Sequence, residues 1–257
     1  MPARTCLALL VLSLTLFGVT AFTNAADSPV YELRIYTCEP GKLDALHTRF
    51  RDHTLRIFEK HGMKNVAYWT PIEGETAETT LVYLLEHKSR NAAAASWEAF
   101  RADPEWKMVA AQSQADHGKI LAKPPESTYL TANDYSPPIA PVDPDKSYEL
   151  RIYKTNAGKL DLLNDRFRGG EVAIFHRLGM NSVGYWTPQD EPASPHTLVY
   201  MLQHEDREAA RKSWKEFSND PEWKTMRSES EKDGAFLSER PQSTFLKTTD
   251  YSPRPAE

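Results

Sequence analysis

The sequence contains only two cysteines, Cys6 and Cys38, which are too few for a framework of disulfide bonds. It also lacks the P-loop, GxGxxG, HExxH, paired CxxC and GxSxG motifs, so nucleotide, zinc and serine-hydrolase chemistry have no support. Basic residues are not in excess: 31 Lys and Arg against 36 Asp and Glu give a net charge of -5. That balance argues against a nucleic acid partner, because binding to phosphates needs a basic surface.

What is present is an ordinary globular composition. Hydrophobic residues make up 40% and charged residues 26% of the 257 positions, which excludes a disordered chain and a polytopic membrane fold. The length suits one large domain or two ordinary ones.

One long apolar run occurs, at the N-terminus. Arg4 precedes an almost unbroken apolar stretch from residue 6 to residue 22, and small residues follow it up to Ala26. This pattern predicts a secretory signal peptide over residues 1–26, cleaved after Ala25 or Ala26. A retained membrane anchor is the alternative, because the run approaches the roughly 20 residues needed to span a bilayer.

Cleavage implies export, to the periplasm or outside the cell, with no stable membrane insertion of the mature chain. Cys38 would then be a single thiol in an oxidising compartment, which indicates either burial or an intermolecular disulfide. Its counterpart in the second part of the chain is Thr155, so nothing common to both parts depends on a thiol there.

The remaining sequence is an internal repeat. Long segments recur in the same order and without a gap, and roughly half of the positions are identical, which indicates a tandem duplication. The matching pairs include Tyr31–Tyr36 with Tyr148–Tyr153, Gly41–Asp44 with Gly158–Asp161, Tyr68–Pro71 with Tyr185–Pro188, and Asp103–Lys107 with Asp220–Lys224. The predicted domains are residues 27–135 and 148–251, separated by a proline-rich linker over 136–147 and followed by a tail over 252–257.

Each repeat reads as strand, helix, strand, strand, helices, strand, which predicts an α+β, ferredoxin-like domain. The third strand, Thr80–Glu86, is apolar on both faces, so both should be covered. We therefore expect the two sheets to pack on each other as a pseudo-dimer that forms a barrel. This self-association can take place within the chain or between copies in a homo-oligomer.

These motifs resemble the NIPSNAP family. The ELR-Y strand, the PGKLD helix start, the HGM turn at His61–Met63, the YWT-P strand and the DPEW helix start carry the likeness, and most of them appear twice. The resemblance implies the dimeric α/β barrel fold and an exported bacterial member of the family. It implies little chemistry: mitochondrial members are linked to vesicle traffic and mitochondrial quality control, and exported bacterial members have no settled activity. In the second repeat Leu178 replaces His61, which argues against a shared role for that histidine.

The first strand of each repeat carries the best candidate site. Its Tyr, Leu and Ile residues are expected to meet the helices, so the opposite, polar face should line the barrel. An Arg there can bind a carboxylate or an enolate, and a Tyr can donate a proton. The alternative is that Glu and Arg simply neutralise each other's buried charge. The candidates are Glu32, Arg34 and Tyr36, with Glu149, Arg151 and Tyr153.

Aromatic residues and one repeated histidine complete the candidates. Tyr68, Tyr83, Tyr185 and Tyr200 can wall a pocket for a flat apolar ligand or pack in the core. His87 and His204 can ligate a haem iron, act as a base, or lie exposed at the end of a strand.

The sequence thus favours binding of a small organic ligand in or beside the barrel. No metal site is predicted, and haem is the one cofactor with a candidate ligand. Two alternatives stay open: a cofactor-free or haem-dependent monooxygenase or isomerase, and a protein-interaction scaffold without a ligand site.

Overall fold

A computed structural model describes residues 29–255, so the predicted signal peptide lies outside the described residues. The strands are β1 Val30–Thr37, β2 Lys64–Pro71, β3 Thr80–His87, β4 Glu126–Ala132, β5 Ser147–Lys154, β6 Asn181–Pro188, β7 Thr197–His204 and β8 Gln242–Thr248. The helices are α1 Leu43–Arg49, α2 Leu55–Lys60, α3 Arg90–Ala102, α4 Pro104–His117, α5 Leu160–Arg166, α6 Val172–Arg177, α7 Arg207–Asn219 and α8 Pro221–Ser230. Between positions 29 and 255, no helix is both long and apolar enough to cross a membrane.

The eight strands form one closed, antiparallel barrel in the order β1-β3-β2-β8-β5-β7-β6-β4. We call residues 30–132 the first half and residues 147–248 the second half. The last strand of each half joins the two: β4 pairs with β1 of its own half and β6 of the other, and β8 pairs with β5 and β2. The fold is therefore of the mixed α/β type, and its sheet is completed within a single chain.

The inner and outer faces of β1 are the reverse of the sequence expectation. Tyr31, Leu33 and Ile35 point into the barrel, where they join an apolar core, whereas Glu32 and Tyr36 lie on the face covered by helices. Alternation along a strand defines two faces but not which one meets the helices. The interior of an eight-stranded barrel is filled by side chains, so the apolar face must turn inward. The same holds for β5, where Leu150 lies in the barrel core.

The helices lie on the outer face of the sheet, as two layers that each cover one half. In each half, the segment predicted as a single helix is two α-helices joined by a π-helical turn, Phe50–Thr54 in the first half and Phe167–Glu171 in the second. Every residue of β3 except Glu86 is buried, which agrees with the prediction that both of its faces are covered. Cys38 is also buried, in the core beneath the first-half helices, which favours burial over an intermolecular disulfide.

The start of α4 follows from its sequence. The Asp103 carboxylate accepts a hydrogen bond from the backbone N–H of Glu105, and Pro104 occupies the first helical position. Asp, Pro and an acidic first turn are the residues that favour a helix N-terminus, and α8 begins in the same way at Asp220.

The surroundings of Gly184 show how tightly the barrel core is packed. A Cβ at this position would overlap the Trp186 ring and the Ile139 side chain. We therefore expect Gly184→Ala to lower the free energy of unfolding by about 1–3 kcal/mol, the usual cost of overpacking a core. Chemical denaturation measures this change. Gly169→Ala is the matched control, because a Cβ there has no neighbour within 4 Å, and equal losses in both variants would contradict the prediction.

Candidate functional site

The candidate residues of β1 form a buried polar cluster under α3, outside the barrel. The Glu32 carboxylate accepts hydrogen bonds from Arg34 Nη1 at 2.5 Å, Ser127 Oγ at 2.6 Å and Trp97 Nε1 at 2.7 Å. His87 Nε2 completes the set at 2.9 Å. We call these five residues the Glu32 cluster.

The second half repeats this arrangement around Glu149. Its carboxylate accepts from Arg151 at 2.5 Å, Ser243 at 2.6 Å, Trp214 at 2.6 Å and His204 at 3.1 Å. Because both halves hold the same network, and each carboxylate has four partners, the repeated cluster behaves as a structural device that ties a helix to the sheet.

The charges of the cluster are balanced internally. Burial opposes ionisation of Glu32, but the hydrogen bond from His87 and the charge of Arg34 outweigh it, and the pKa falls to about 2. Glu149 also has a pKa of about 2, for the same reasons. The Arg34 guanidinium lies 4.3 Å from the centre of the Trp97 ring, and Arg151 lies 4.1 Å from that of Trp214, so each cation also has an aromatic contact.

The predicted aromatic residues pack against each other beneath the helices. Tyr68 stacks on Tyr83 with ring centres 5.2 Å apart, and Tyr185 stacks on Tyr200 at 5.6 Å. All four rings have no exposed surface, and Phe50 and Phe167 cover them. The four tyrosines therefore pack in the core, which is one of the two uses expected from the sequence.

The expectation that His87 and His204 lie exposed at strand ends is wrong. Both are about 1% exposed, and in each ring Nε2 contacts a glutamate of the Glu32 cluster or its copy. An ionised carboxylate only accepts hydrogen bonds, so Nε2 must carry the proton. A buried ring in this state does not fit the role of an axial haem ligand. Nor do residues 29–255 contain a group of three metal-ligating side chains.

The two halves differ at one arginine that the sequence analysis did not single out. In the second half Arg166 is buried at the end of α5 and donates to Glu171 at 2.9 Å and to Glu231 at 2.7 Å. Burial raises the pKa of Glu171 to about 7, although Arg166 opposes that change. Arg166 is thus a cation with two carboxylate partners.

Arg49, at the end of α1, is the matching residue of the first half. Where Arg166 has Glu171 and Glu231, the repeat places Thr54 and Gln114. Among the described residues no carboxylate comes within salt-bridge distance of Arg49, and its Nε is buried without a hydrogen-bond partner. Burial lowers the pKa of Arg49, but an arginine remains charged at neutral pH.

A cleft of about 340 Å³ opens beside this arginine, between α1 and α4. Ser113 lies at the cleft as well, and its buried hydroxyl has no partner among the described groups. We call this space the Arg49 cleft. Its lining residues are Ala45, Thr48, Arg49, His53, Met108, Val109, Gln112, Ser113, Asp116 and His117.

A larger cleft, of about 940 Å³, lies between α1 and the end of β8. Two of its polar groups already have protein partners: Arg51 binds Asp250 at 2.8 and 2.9 Å, and His47 contacts the Tyr251 hydroxyl at 2.7 Å. Its remaining cation, Lys247, is exposed to solvent, whereas Arg49 is partly buried. The Arg49 cleft is therefore the better candidate for recognising a charged ligand.

Comparison with known families now places the protein. The NIPSNAP family model matches residues 31–137 and, a second time, residues 148–253. The chain belongs to the NIPSNAP family. A comparison with curated proteins gave no match.

Of three similar solved structures, two share the fold of this NIPSNAP protein. An anthrone oxidase-like protein has a TM-score of 0.56 at 14% identity, over 88% of this chain and 93% of the other. A "putative monooxygenase" from Fusobacterium nucleatum has a TM-score of 0.54 at 10% identity, over 86% and 92%. A NIPSNAP family protein of unknown function from Agrobacterium tumefaciens, 20% identical with a TM-score of 0.37, covers 43% of this chain and 94% of its own. Identities this low make the likeness one of fold.

The Glu32 cluster should make the stability of this NIPSNAP protein sensitive to acid. The pKa of Glu32 in the folded protein, about 2, lies below the ordinary value of 4.5. The contribution of Glu32 to the free energy of unfolding is therefore complete above pH 4.5 and is lost as the pH falls toward 2. The loss is about 3 kcal/mol for this one group. Urea denaturation between pH 7 and pH 2.5 should show that Glu32→Gln starts less stable than wild type and loses less on acidification.

Glu98→Gln, on the exposed side of α3, is the control for this measurement. It should keep the wild-type acid profile, because its side chain has no part in the cluster. An acid profile of Glu32→Gln that follows the wild type would show that the Glu32 network does not stabilise the fold.

Proposed function

We propose that this protein binds a small organic anion beside its barrel, in the Arg49 cleft. One observation carries the proposal: Arg49 is a partly buried cation without a carboxylate partner, while its counterpart in the same chain has two. Leaving a charge unpaired away from water costs free energy, and an anion that enters the cleft recovers part of it.

None of the sequence-predicted candidates lines the Arg49 cleft. Two of them, Tyr36 and Tyr83, lie close enough to both Arg34 and Arg49 for their electrostatic effects to reach each arginine. In the second half, burial raises the pKa values of Tyr153 and Tyr200, and the charge of Glu171 acts in the same direction.

A tandem duplication accounts for the different roles that we propose for the two halves. We propose that the two ferredoxin-like halves arose from one domain and that their association through the sheet takes place within the chain, as a pseudo-dimer. The second half then acts as the structural copy, and the first half carries the ligand. We also propose that the chain belongs to an exported bacterial type and functions in the periplasm or outside the cell.

A cofactor-free monooxygenase or isomerase that acts on the bound anion is the second candidate. The barrel shared with an anthrone oxidase-like protein and a "putative monooxygenase" favours it. Haem-dependent chemistry has less support, because both candidate histidines are buried against a glutamate. A scaffold without a ligand is the remaining alternative.

Replacing Arg49 should abolish ligand binding without unfolding the protein. Small carboxylates and phenolates, screened at millimolar concentration by thermal shift, should raise the Tm of the wild type, because a ligand that binds only the folded state stabilises it. Arg49→Gln should lose this rise and keep a Tm close to the unliganded wild type. Arg56→Gln is the control, since it removes the same charge from an exposed position on the neighbouring α2.

A screen in which no anion raises the Tm of the wild type would favour the scaffold alternative. A rise that persists in Arg49→Gln, and is lost in Arg34→Ala, would move the site to the Glu32 cluster.

Export predicts a shorter mature chain. Intact-mass spectrometry of the protein from its own exported fraction should give the mass of a chain that begins after Ala25 or Ala26. A mass that includes residues 1–26 would instead support the retained membrane anchor.

A further inference from the structure

Each half has two arginines in equivalent places, and one of these pairs of arginines differs in its ion pairs. In the second half, Arg151 pairs with Glu149, and Arg166 pairs with Glu171 and Glu231. In the first half Arg34 pairs with Glu32, and no described carboxylate pairs with Arg49. The first half therefore lacks negative charge at two positions, where Glu171 and Glu231 lie in its copy.

The residue that differs shows what is missing. Thr54 and Glu171 both end a π-helical turn, and both are about 1% exposed. The Thr54 hydroxyl turns back to the carbonyl oxygen of Arg49, at 3.0 Å, and leaves the guanidinium without an acceptor. A threonine is shorter than a glutamate by a carboxylate group, so the first half lacks an anion of that size.

On this basis, and resting on the function proposed above, we propose that the ligand is a monocarboxylate. Its carboxylate would take at Arg49 the part that Glu171 and Glu231 play at Arg166. The second half thus contains an internal copy of the bound ligand.

The charge and depth of the site favour a single carboxylate over a phosphate. The cost of removing an ion from water rises steeply with its charge, and Arg49 is the one unpaired cation that the cleft offers among the described residues. A planar carboxylate also matches the fork of a guanidinium edge. At Arg166 two carboxylates share the donors, Glu171 at Nε and Glu231 at Nη1. A dianion would bring a second charge with no partner.

The other residues that line the Arg49 cleft indicate the chemistry of the part of the ligand beyond its carboxylate. Met108, whose side chain is 67% exposed, and Val109 provide an apolar wall on α4. Asp116 lies on the same side, and its charge opposes any carboxylate that is not placed at Arg49. The volume, about 340 Å³, is near the lower limit of small-molecule sites, which are about 300–1,000 Å³. We infer a small acid with an apolar body and one charge.

The test exchanges the differing residues between the halves. Thr54→Glu supplies the first half with its own carboxylate, and it should weaken the binding of benzoate and hexanoate at least tenfold at pH 8, measured by isothermal titration calorimetry. Thr54→Ser should bind as the wild type does. In the second half Arg166 already lines a cleft of about 810 Å³ between α5 and α8. The double variant Glu171→Thr/Glu231→Gln removes both carboxylate partners of Arg166 and should bind two equivalents where the wild type binds one.

A measurement without ligand guards against misfolded variants. Thr54→Glu should have a higher Tm than Thr54→Gln, because only the glutamate can pair with Arg49. If the two variants melt at the same temperature, position 54 does not address Arg49 and the inference is wrong.

Inorganic phosphate and sulfate separate this inference from the proposed function. If they bind the wild type as tightly as benzoate and hexanoate, and Arg49→Gln removes that binding, the anion site stands and the monocarboxylate assignment fails. If no anion binds the wild type, the proposed function itself fails. Binding of benzoate or hexanoate that Thr54→Glu leaves unchanged also overturns the internal-copy inference.

Discussion

Closure of the barrel by the last strand of each half is the constraint on which this structure depends. β4 and β8 each pair with a strand of both halves, so neither half has a complete sheet alone. A closed eight-stranded barrel must fill its interior with side chains, because the space is too narrow to hold bulk solvent. The apolar faces of β1 and β5 therefore turn inward, and their polar residues are left beneath the helices.

The polar residues that closure leaves there are stabilised in the same way in both halves. A buried glutamate is stable only when its acceptor sites are filled by hydrogen-bond donors. Glu32 and Glu149 each have four donors, which come from their own strand, two neighbouring strands and a helix. The indole N–H groups of Trp97 and Trp214 place a helix over each network. The part of the repeat that looked most like an active site is thus also the part that holds helix to sheet.

In a chain with two matches to one family, function is easier to locate where the two halves differ than where they agree. Identical residues are expected wherever the fold needs them twice, as at Glu32 and Glu149. The presence of Thr54 where the second half has Glu171 has no such explanation, because it removes a partner of the partly buried Arg49 and leaves the arginine in place. Both halves close the barrel, but the second half pairs its arginine with two carboxylates and the first half leaves Arg49 without a described carboxylate partner.

Much of the fold could be read from the residues in advance. The repeat, the strand–helix order, the start of α4 at Asp103–Pro104 and the burial of both faces of β3 follow from local patterns. The difference between Thr54 and Glu171 is visible when the two repeats are compared, but only the tertiary structure links it to Arg49. A helical residue and one five positions later do not ordinarily face each other, and it is the π-helical turn that brings them together.

The sequence by itself determined the two copies of the family's motifs, the family and the order of the elements, because these depend on local spacing and composition. Only the tertiary structure decided which face of β1 points into the barrel, that His87 and His204 are buried, and which arginine lacks a partner. The physical reason is that burial and charge pairing are settled between segments far apart in the chain. Glu231 reaches Arg166 from the end of another helix, and His87 reaches Glu32 from a neighbouring strand.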